Sequence, residues 1–141
     1  MNNSAQNILA RDKAIRYIGI SKKTEYEVKN KLKGLKIASS VIDEEIEYLK
    51  ELGYIDDIDY VKSYIKQCYK MQNYSIYEIT NKLLQKGVKA SIIEQEIDIL
   101  KETDYEQKVI SKLVNGKLKS YDEIKQKNYL YRRGFKVWWK M

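Results

Sequence analysis

Two stretches of this sequence repeat one another: EVKNKLKGLKIASSVIDEEIEYLKELGY at residues 27–54 and EITNKLLQKGVKASIIEQEIDILKETDY at residues 78–105. At this offset of 51, 12 of the 28 positions are identical. Chance would give about two identities in a chain of average composition. The identical positions include apolar residues at regular spacing, so the two stretches are predicted to form the same structural unit.

The spacing of the apolar residues predicts helices. The chain has no proline and only six glycines, so little in it interrupts a helix. Three sets of apolar residues recur at helical spacing, and each set forms one face of a helix: Ile42, Ile46 and Leu49; Ile58, Val61, Ile65 and Cys68; and Ile93, Ile97 and Leu100. We predict helices over residues 7–19, 25–34, 40–52, 58–71, 75–86, 91–103, 105–115 and 121–133, and a stub at 136–141 that contains Trp138 and Trp139.

Short polar motifs predict where some of these helices begin. A Ser or Thr followed three residues later by Glu can form a capping box, in which each side chain accepts a hydrogen bond from the backbone N–H of the other residue. The pattern occurs at Thr24 with Glu27, at Ser91 with Glu94 and, in a weaker version, at Ser40 with Asp43.

Glycines predict where two helices end. Gly53 and Gly87 each follow an apolar stripe, and glycine is the residue most often found just beyond a helix C-terminus. The first copy of the repeat has Lys36 where the second copy has Gly87. We therefore expect the second helix of the chain to end differently from its counterpart.

The helix that precedes each stretch repeats as well, which makes the unit three helices long. Ala14 corresponds to Val61, and Val61 to Val109. We predict three tandem three-helix repeats, at residues 1–57, 58–104 and 105–141, and the third is incomplete because six residues follow Phe135. Such repeats bury their apolar faces against their neighbours. The predicted fold is all-α, an elongated and curved helical solenoid that forms one continuous structural unit.

The excess of basic side chains lies in the last quarter of the chain. Residues 1–57 carry ten basic and ten acidic side chains, residues 58–105 carry seven of each, and residues 106–141 carry ten basic and three acidic ones. The whole formal net charge of +7 therefore belongs to the third region. A patch of one sign attracts ligands of the other sign, so this pattern predicts an acidic partner.

The candidate binding residues follow from this charge distribution. In the third repeat we expect the partner or DNA to contact Lys125, Lys127, Arg132, Arg133 and Lys136. The basic second helix of the second repeat adds Lys82, Lys86 and Lys89 to the candidate surface. In the first two repeats, pairing between basic and acidic helices of the same molecule is the competing explanation, because surface charge runs rarely do more.

The 13 tyrosines allow two interpretations. Beside basic residues they could stack on the bases of single-stranded nucleic acid. A tyrosine of a helical protein more often packs its ring against neighbouring helices. We favour packing for Tyr17, Tyr54, Tyr64 and Tyr105. Cys68 lies on an apolar stripe, so we expect it in the core.

The composition excludes most catalytic and metal sites. The chain has no histidine and one cysteine, which leaves no zinc or haem site of the usual kind and no histidine-based triad. No phosphate-binding glycine motif occurs. Asp56, Asp57 and Asp59 could together bind Mg²⁺, but we favour a role in capping the helix that follows them. We predict no enzymatic activity, no cofactor and no metal.

The chain also has the features of a cytoplasmic protein. Its apolar runs are far shorter than the ~20 residues of a membrane span. Its first residues lack the basic and apolar regions of a signal peptide. A single cysteine fits a reducing compartment. We therefore expect a soluble cytoplasmic protein that does not contact a membrane.

Four short motifs follow one another along the chain. They are TEYEV at residues 24–28, GYIDDIDYVKSYI at 53–65, LLQKGV at 83–88 and YLYRRGF at 129–135. In sequence and order these motifs resemble those of the RecX family of bacterial recombination regulators. The resemblance extends over about residues 10–140.

This resemblance implies a modulator of the RecA recombinase. Family members bind RecA and its filament on single-stranded DNA, lie in the groove of the filament, hinder its growth, and reduce ATP hydrolysis and strand exchange. We expect a monomer with RecA and the filament as partners, and direct contact with DNA is possible. The alternative is a basic helical module that binds DNA or RNA without a recombinase.

Overall fold

The structure, a computed structural model, describes residues 2–136 and the side chains from Ala5 onward. This part of the chain forms helices and loops without a strand. The helices are α1 Asn2–Ile20, α2 Glu25–Gly34, α3 Ser39–Glu51, α4 Asp57–Met71, α5 Ile76–Gln85, α6 Ala90–Lys101, α7 Tyr105–Asn115 and α8 Glu123–Arg132. The eight helices predicted before residue 134 are confirmed, with ends within two residues except at the start of α1. The stub predicted at 136–141, with Trp138 and Trp139, lies outside the described residues beyond Lys136.

The chain divides into two compact units. The first unit comprises the residues up to Tyr60 together with Lys86–Lys89, and the second comprises Val61–Gln85 and the residues from Ala90 onward. In the first unit, α1, α2 and α3 pack against one another in pairs. The three predicted repeat boundaries remain a prediction. None of the helices in the described part of the chain is long and apolar enough to cross a membrane.

Each unit buries the apolar stripes that the sequence shows. The core of the first unit consists of Ala10, Ala14, Val28, Leu32, Ile37, Val41, Ile42, Ile46, Leu49 and Ile55. In the second unit, Ile79, Leu83, Ile93, Ile97, Leu100, Val109, Ile110 and Leu130 are buried. Removing such apolar surface from water contributes about 25 cal/mol per Å² to stability.

The burial of Cys68, Tyr105 and Ile58 can be compared with the predicted packing. Cys68 is buried, as predicted. Tyr105 is fully buried, and its hydroxyl donates to the carbonyl of Tyr74 at 2.6 Å. Burial raises the pKa of this hydroxyl well above its usual value. Ile58, predicted on the stripe of α4, is instead half exposed in the first turn of the helix.

The prediction for Tyr54 was wrong, because its side chain is exposed beside the Gly53 turn. Tyr17 is partly buried against the first core, and the ammonium groups of Lys23 and Lys31 lie 4.5 and 5.4 Å from its ring centre. Tyr64 is also partly buried. Packing therefore holds for three of the four tyrosines.

One of the three predicted capping boxes forms. Thr24 Oγ1 accepts from the N–H of Glu27 at 3.2 Å, and Glu27 Oε1 accepts from the N–H of Thr24 at 3.0 Å. The predictions at Ser91 and Ser40 were wrong. Helix α6 begins at Ala90 and α3 begins at Ser39, so both serines already lie within the first turn.

Helix α2 ends in the same way as its counterpart, contrary to the expectation from Lys36. Lys36 takes a left-handed backbone conformation with φ of 59°, and Gly87 has φ of 80° in the equivalent place. The turn after each of these helices therefore requires a left-handed residue. Lys36 adopts this conformation, although it is one that favours glycine.

The aspartates before α4 act as structural acceptors. Asp56 Oδ1 accepts from the N–H of Asp59 at 3.0 Å and so caps the helix. Asp57 Oδ1 accepts from the N–H of Glu25 at 3.0 Å, and Asp59 forms an ion pair with Lys22. The capping role in α4 is therefore confirmed for Asp56, whereas Asp57 accepts from the start of α2 and Asp59 pairs with a lysine. Within the described residues, no group of acidic or cysteine side chains is arranged to hold a metal ion.

Candidate partner-binding surface

The capping box of α2 also holds a distant part of the chain. Thr24 Oγ1 donates to the carbonyl of Lys86 at 2.6 Å, and Lys86 Nζ lies 3.5 Å from Glu27 Oε2. The Tyr26 side chain lies directly against Gly87, where an added Cβ would come 2.2 Å from Tyr26 Cβ. We call these five residues the first joint.

The second unit contains the same arrangement, which we call the second joint. Ser75 and Glu78 form a capping box at the start of α5, with distances of 3.1 and 2.9 Å. Ser75 Oγ donates to the carbonyl of Arg133 at 2.6 Å. The Tyr77 side chain lies against Gly134, where an added Cβ would come 2.6 Å from Tyr77 Cβ.

The charged pair is stronger in the second joint. Arg133 Nε and Nη2 donate to the two carboxylate oxygens of Glu78 at 3.1 and 2.8 Å, a bidentate pair. Burial raises the pKa of Glu78, but the hydrogen bonds from Arg133 and Ser75 outweigh it and hold the pKa below its usual value. The Lys86–Glu27 pair of the first joint has a single contact.

A further backbone contact recurs beside each joint. The N–H of Glu25 donates to Asp57 Oδ1, and the N–H of Ile76 donates to Glu106 Oε2, both at 3.0 Å. The second carboxylate oxygen of Glu106 accepts from the N–H of Lys136 at 3.1 Å. In both α2 and α5, a carboxylate therefore accepts from the N–H of the first helical residue, at the end where the helix dipole favours negative charge.

The structure places two of the candidate binding residues, Lys86 and Arg133, in the joints. Arg133 also donates to the carbonyl of Asn73 and to the hydroxyl of Tyr129, and its side chain is 23% exposed. Burial lowers the pKa of Lys86, but Tyr60 and Glu27 outweigh it and hold the pKa above its usual value. Both cations are thus bound within the protein.

The other candidates of the third repeat are more accessible. Lys125, Arg132 and Lys136 are exposed. The Lys125 ammonium lies 4.3 Å from the centre of the Tyr121 ring, and Arg132 Nε donates to the carbonyl of Asn128 at 3.3 Å. Lys127 pairs with Glu123 one turn away, at 3.3 Å.

The candidates of the second repeat are separated by the structure. Lys82 belongs to the second unit, and its ammonium lies 4.7 Å from the centre of the Tyr74 ring. Lys86 and Lys89 belong to the first unit, where Lys89 is exposed. The eight candidates therefore do not form a single cluster within either unit.

Tyr129, in the predicted third repeat, accepts hydrogen bonds from two basic side chains, and nothing in the sequence indicates this role. Its hydroxyl accepts from Lys117 Nζ at 3.1 Å and from Arg133 Nη1 at 3.3 Å. The hydrogen bond from Lys117 lowers the pKa of Tyr129, and burial opposes this effect. Cations beside aromatic rings can contact both phosphates and bases, so α8 and the loop before it have the chemistry of an anion-binding surface.

Residues 10–49 match the family model described as "RecX, first three-helix domain". The regulatory protein RecX of Caldanaerobacter subterraneus is 34% identical over 130 residues, and the RecX of Clostridium botulinum is 36% identical over 129. The chain belongs to the RecX family. The crystal structure of RecX from Lactobacillus salivarius, 24% identical, has the same fold, with a TM-score of 0.79 over 94% of this chain and 90% of that one. The all-α fold of helical repeats is therefore confirmed.

The RecX relatives are named as regulatory proteins, and most of this chain aligns with them. The alignments cover 91% of this chain and 65% of the Caldanaerobacter protein, and 89% of this chain and 60% of the Clostridium protein. This chain thus spans less than two thirds of the length of each of these relatives. Its family is that of a regulatory protein.

Proposed function

We propose that this chain binds the RecA recombinase and its filament on single-stranded DNA, and that it restrains growth of the filament. Membership of the RecX family carries this proposal. By analogy with the family, the protein lies in the filament groove and lowers ATP hydrolysis and strand exchange. We further propose that it acts as a monomer and has no catalytic activity of its own.

The distribution of charge supports an anionic binding partner. The exposed cations Lys125, Arg132 and Lys136 belong to the part of the chain that carries the whole net positive charge. Single-stranded DNA in a filament presents phosphates, which attract such cations over distances of about 10 Å at 0.1 M salt. We propose that these three residues contact the filament, and that Lys86 and Arg133 support the surface from within the joints.

Dependence on the recombinase tests this function. We would titrate the labelled protein against RecA alone, RecA with single-stranded DNA and a slowly hydrolysed ATP analogue, and the same DNA alone. We expect tight binding only where RecA is present, and slower filament extension in a growth assay. Equal affinity for bare DNA and for the filament would contradict the proposal and favour the basic module that acts directly on nucleic acid.

A charge-reversal pair localises the binding surface. We expect Lys125→Glu with Arg132→Glu to weaken filament binding at least ten-fold, because two attractive contacts become repulsive. The matched control is Lys13→Glu with Arg16→Glu, which reverses two exposed cations of α1. Equal losses in the two double variants would show that only the net charge matters.

A further inference from the structure

A groove lies in the second unit, next to the residues that begin α5 and end α6. The groove has a volume of about 460 Å³ and lies beside the second joint. Its apolar wall includes Ile76, Tyr77 and Ile97, and its basic edge consists of Lys101 and Lys136. Ile76 is partly buried and Ile97 is buried.

At the equivalent place in the first unit, the chain itself supplies a carboxylate that pairs with lysines. Glu25, which corresponds to Ile76, lies 3.0 Å from Lys50 Nζ and 3.5 Å from Lys29 Nζ. The correspondence is structural as well as sequential, because the N–H of Glu25 and that of Ile76 each donate to a carboxylate at 3.0 Å.

The second unit keeps one of these cations and lacks the carboxylate. Lys101 corresponds to Lys50, whereas Ile76 and Thr80 replace Glu25 and Lys29. Within residues 2–136, neither Lys101 nor the Lys136 side chain has a carboxylate at ion-pair distance. Both oxygens of Glu106, the one acidic residue of the groove, accept from backbone N–H groups.

We propose that this groove binds an acidic segment of a partner protein, in which a carboxylate pairs with Lys101 and an apolar neighbour packs against Ile76 and Ile97. Glu25 in the first unit shows how such a carboxylate is held. The concave apolar wall favours a peptide over a nucleic acid backbone, because a phosphate track needs cations and wet surface along its length. The inference does not depend on the identity of the partner proposed above.

Binding of a defined peptide tests the inference. The probe is a fluorescein-labelled, amidated peptide of sequence Asp-Glu-Phe-Asp-Glu-Leu, and its control has Asn and Gln in place of Asp and Glu. We expect the acidic peptide to bind at least ten-fold more tightly by fluorescence anisotropy. Amide chemical shifts should move at Thr80, Lys101 and Gln107, which line the groove.

Two variants of the groove distinguish a peptide carboxylate bound at Lys101 from nonspecific electrostatic attraction between the acidic peptide and the protein. Lys101→Gln should weaken peptide binding about ten-fold, as expected when one charge-assisted hydrogen bond is removed. Ile76→Glu keeps Lys101 but supplies the internal carboxylate of the first unit, so it should abolish binding while the melting temperature is retained or raised. Lys119→Gln removes an exposed lysine that does not line the groove, and should leave binding unchanged.

Several results would overturn the inference. They are equal binding of the acidic and amide peptides, unchanged affinity in both groove variants, or shift changes away from the groove. Displacement of the peptide by a twelve-residue thymidine oligonucleotide, with shifts at the same residues, would assign the groove to nucleic acid instead. Because no recombinase is present in this experiment, its outcome is independent of the test of the proposed function.

Discussion

A single lysine occupies a backbone conformation that costs free energy. Lys36 has φ of 59°, where a Cβ crowds the backbone, and its side chain is exposed without an ion pair in the described structure. We predict that Lys36→Gly raises the free energy of unfolding by about 1 kcal/mol, because glycine removes that crowding. Urea denaturation followed by circular dichroism measures the change.

The neighbouring Lys33 provides the control for this substitution. Lys33 lies in the last turn of α2 and is also exposed. There, glycine should destabilise by about 0.5–1 kcal/mol, because helical geometry gives it no advantage and its unfolded state is more flexible. If both glycine variants were destabilised alike, strain at Lys36 would be refuted.

A buried carboxylate predicts how stability depends on pH. Glu45 is 2% exposed, and it accepts from Arg11 Nε at 2.7 Å and from Asn7 Nδ2 at 2.8 Å. Burial raises the pKa of Glu45, but these hydrogen bonds outweigh it and the pKa falls below its ordinary value of 4.5. A carboxyl with a lowered pKa stabilises the fold above its unfolded pKa, and this contribution disappears as the pH falls through the folded pKa.

Substituting Glu45 should therefore flatten the acid limb of the stability curve. We predict that Glu45→Gln lowers the free energy of unfolding at pH 7 by about 1–3 kcal/mol, since the Arg11 pair is broken. The difference from the parent should shrink as the pH drops below about 4.5. Glu51→Gln, at an exposed position of α3, should follow the parent at every pH. A constant difference across the range would refute this assignment.

In the first joint, the packing of Tyr26 of α2 depends on a glycine that follows α5. Gly87 and Gly53 have φ of 80° and 81°, but only at Gly87 would a Cβ meet another residue, 2.2 Å from Tyr26 Cβ. We predict that Gly53→Ala costs about 1 kcal/mol for its backbone conformation. Gly87→Ala should cost about 1–3 kcal/mol more, because the collision separates the packed elements. Thermal melting compares the two, and equal losses would show that the close approach is unimportant.

The sequence predicts the helices well because their determinants are local. Apolar spacing in α3 and α6 and the Thr24–Glu27 box depend on residues within a few turns. The starts of α3 and α6 were predicted one residue late, at Ser40 and Ser91, because neighbouring residues can each begin a helix and the boundary depends on packing.

The second capping box, but not the joints, could have been predicted by extending the repeat by three residues. Ser75 and Glu78 stand at the same offset of 51 from Thr24 and Glu27, so the sequence contains the second capping box. The contacts of Thr24 with Lys86 and of Ser75 with Arg133 span 62 and 58 residues, and no local pattern indicates such a pairing. For this reason the basic residues of the candidate surface looked alike in the sequence, although the structure holds two of them internally.

At the scale of the whole molecule, charge is distributed unevenly along the chain. The last 36 residues carry ten basic and three acidic side chains, and the rest of the chain is balanced. Affinity for the DNA-bearing filament should therefore fall as salt is added. We predict that Lys125→Gln with Arg132→Gln reduces the slope of log K against log salt by about 0.7 for each phosphate of single-stranded DNA that the variant no longer neutralises.

The matched double variant Lys13→Gln with Arg16→Gln removes the same net charge from α1. We expect it to leave the slope within about 0.3 of the parent, because a released counterion reports a local phosphate contact. Binding measured at four salt concentrations decides between the two. Identical slopes in both variants would exclude the third repeat as the principal phosphate-binding region.

Thr24 and Lys86, which meet in the first joint, lie 62 residues apart in the sequence. During synthesis on the ribosome, the contacts of this joint therefore form later than the core of the first unit. The first core is complete in sequence once Ile55 has been added, so its three helices can pack while the chain is still growing. Thr24 and Tyr26 must then wait for Lys86 and Gly87, which takes about two to six seconds at 5–20 residues per second. During that interval the Thr24 hydroxyl lacks its carbonyl acceptor and the Tyr26 side chain lacks its contact with Gly87, so both groups are accessible to a ribosome-bound chaperone.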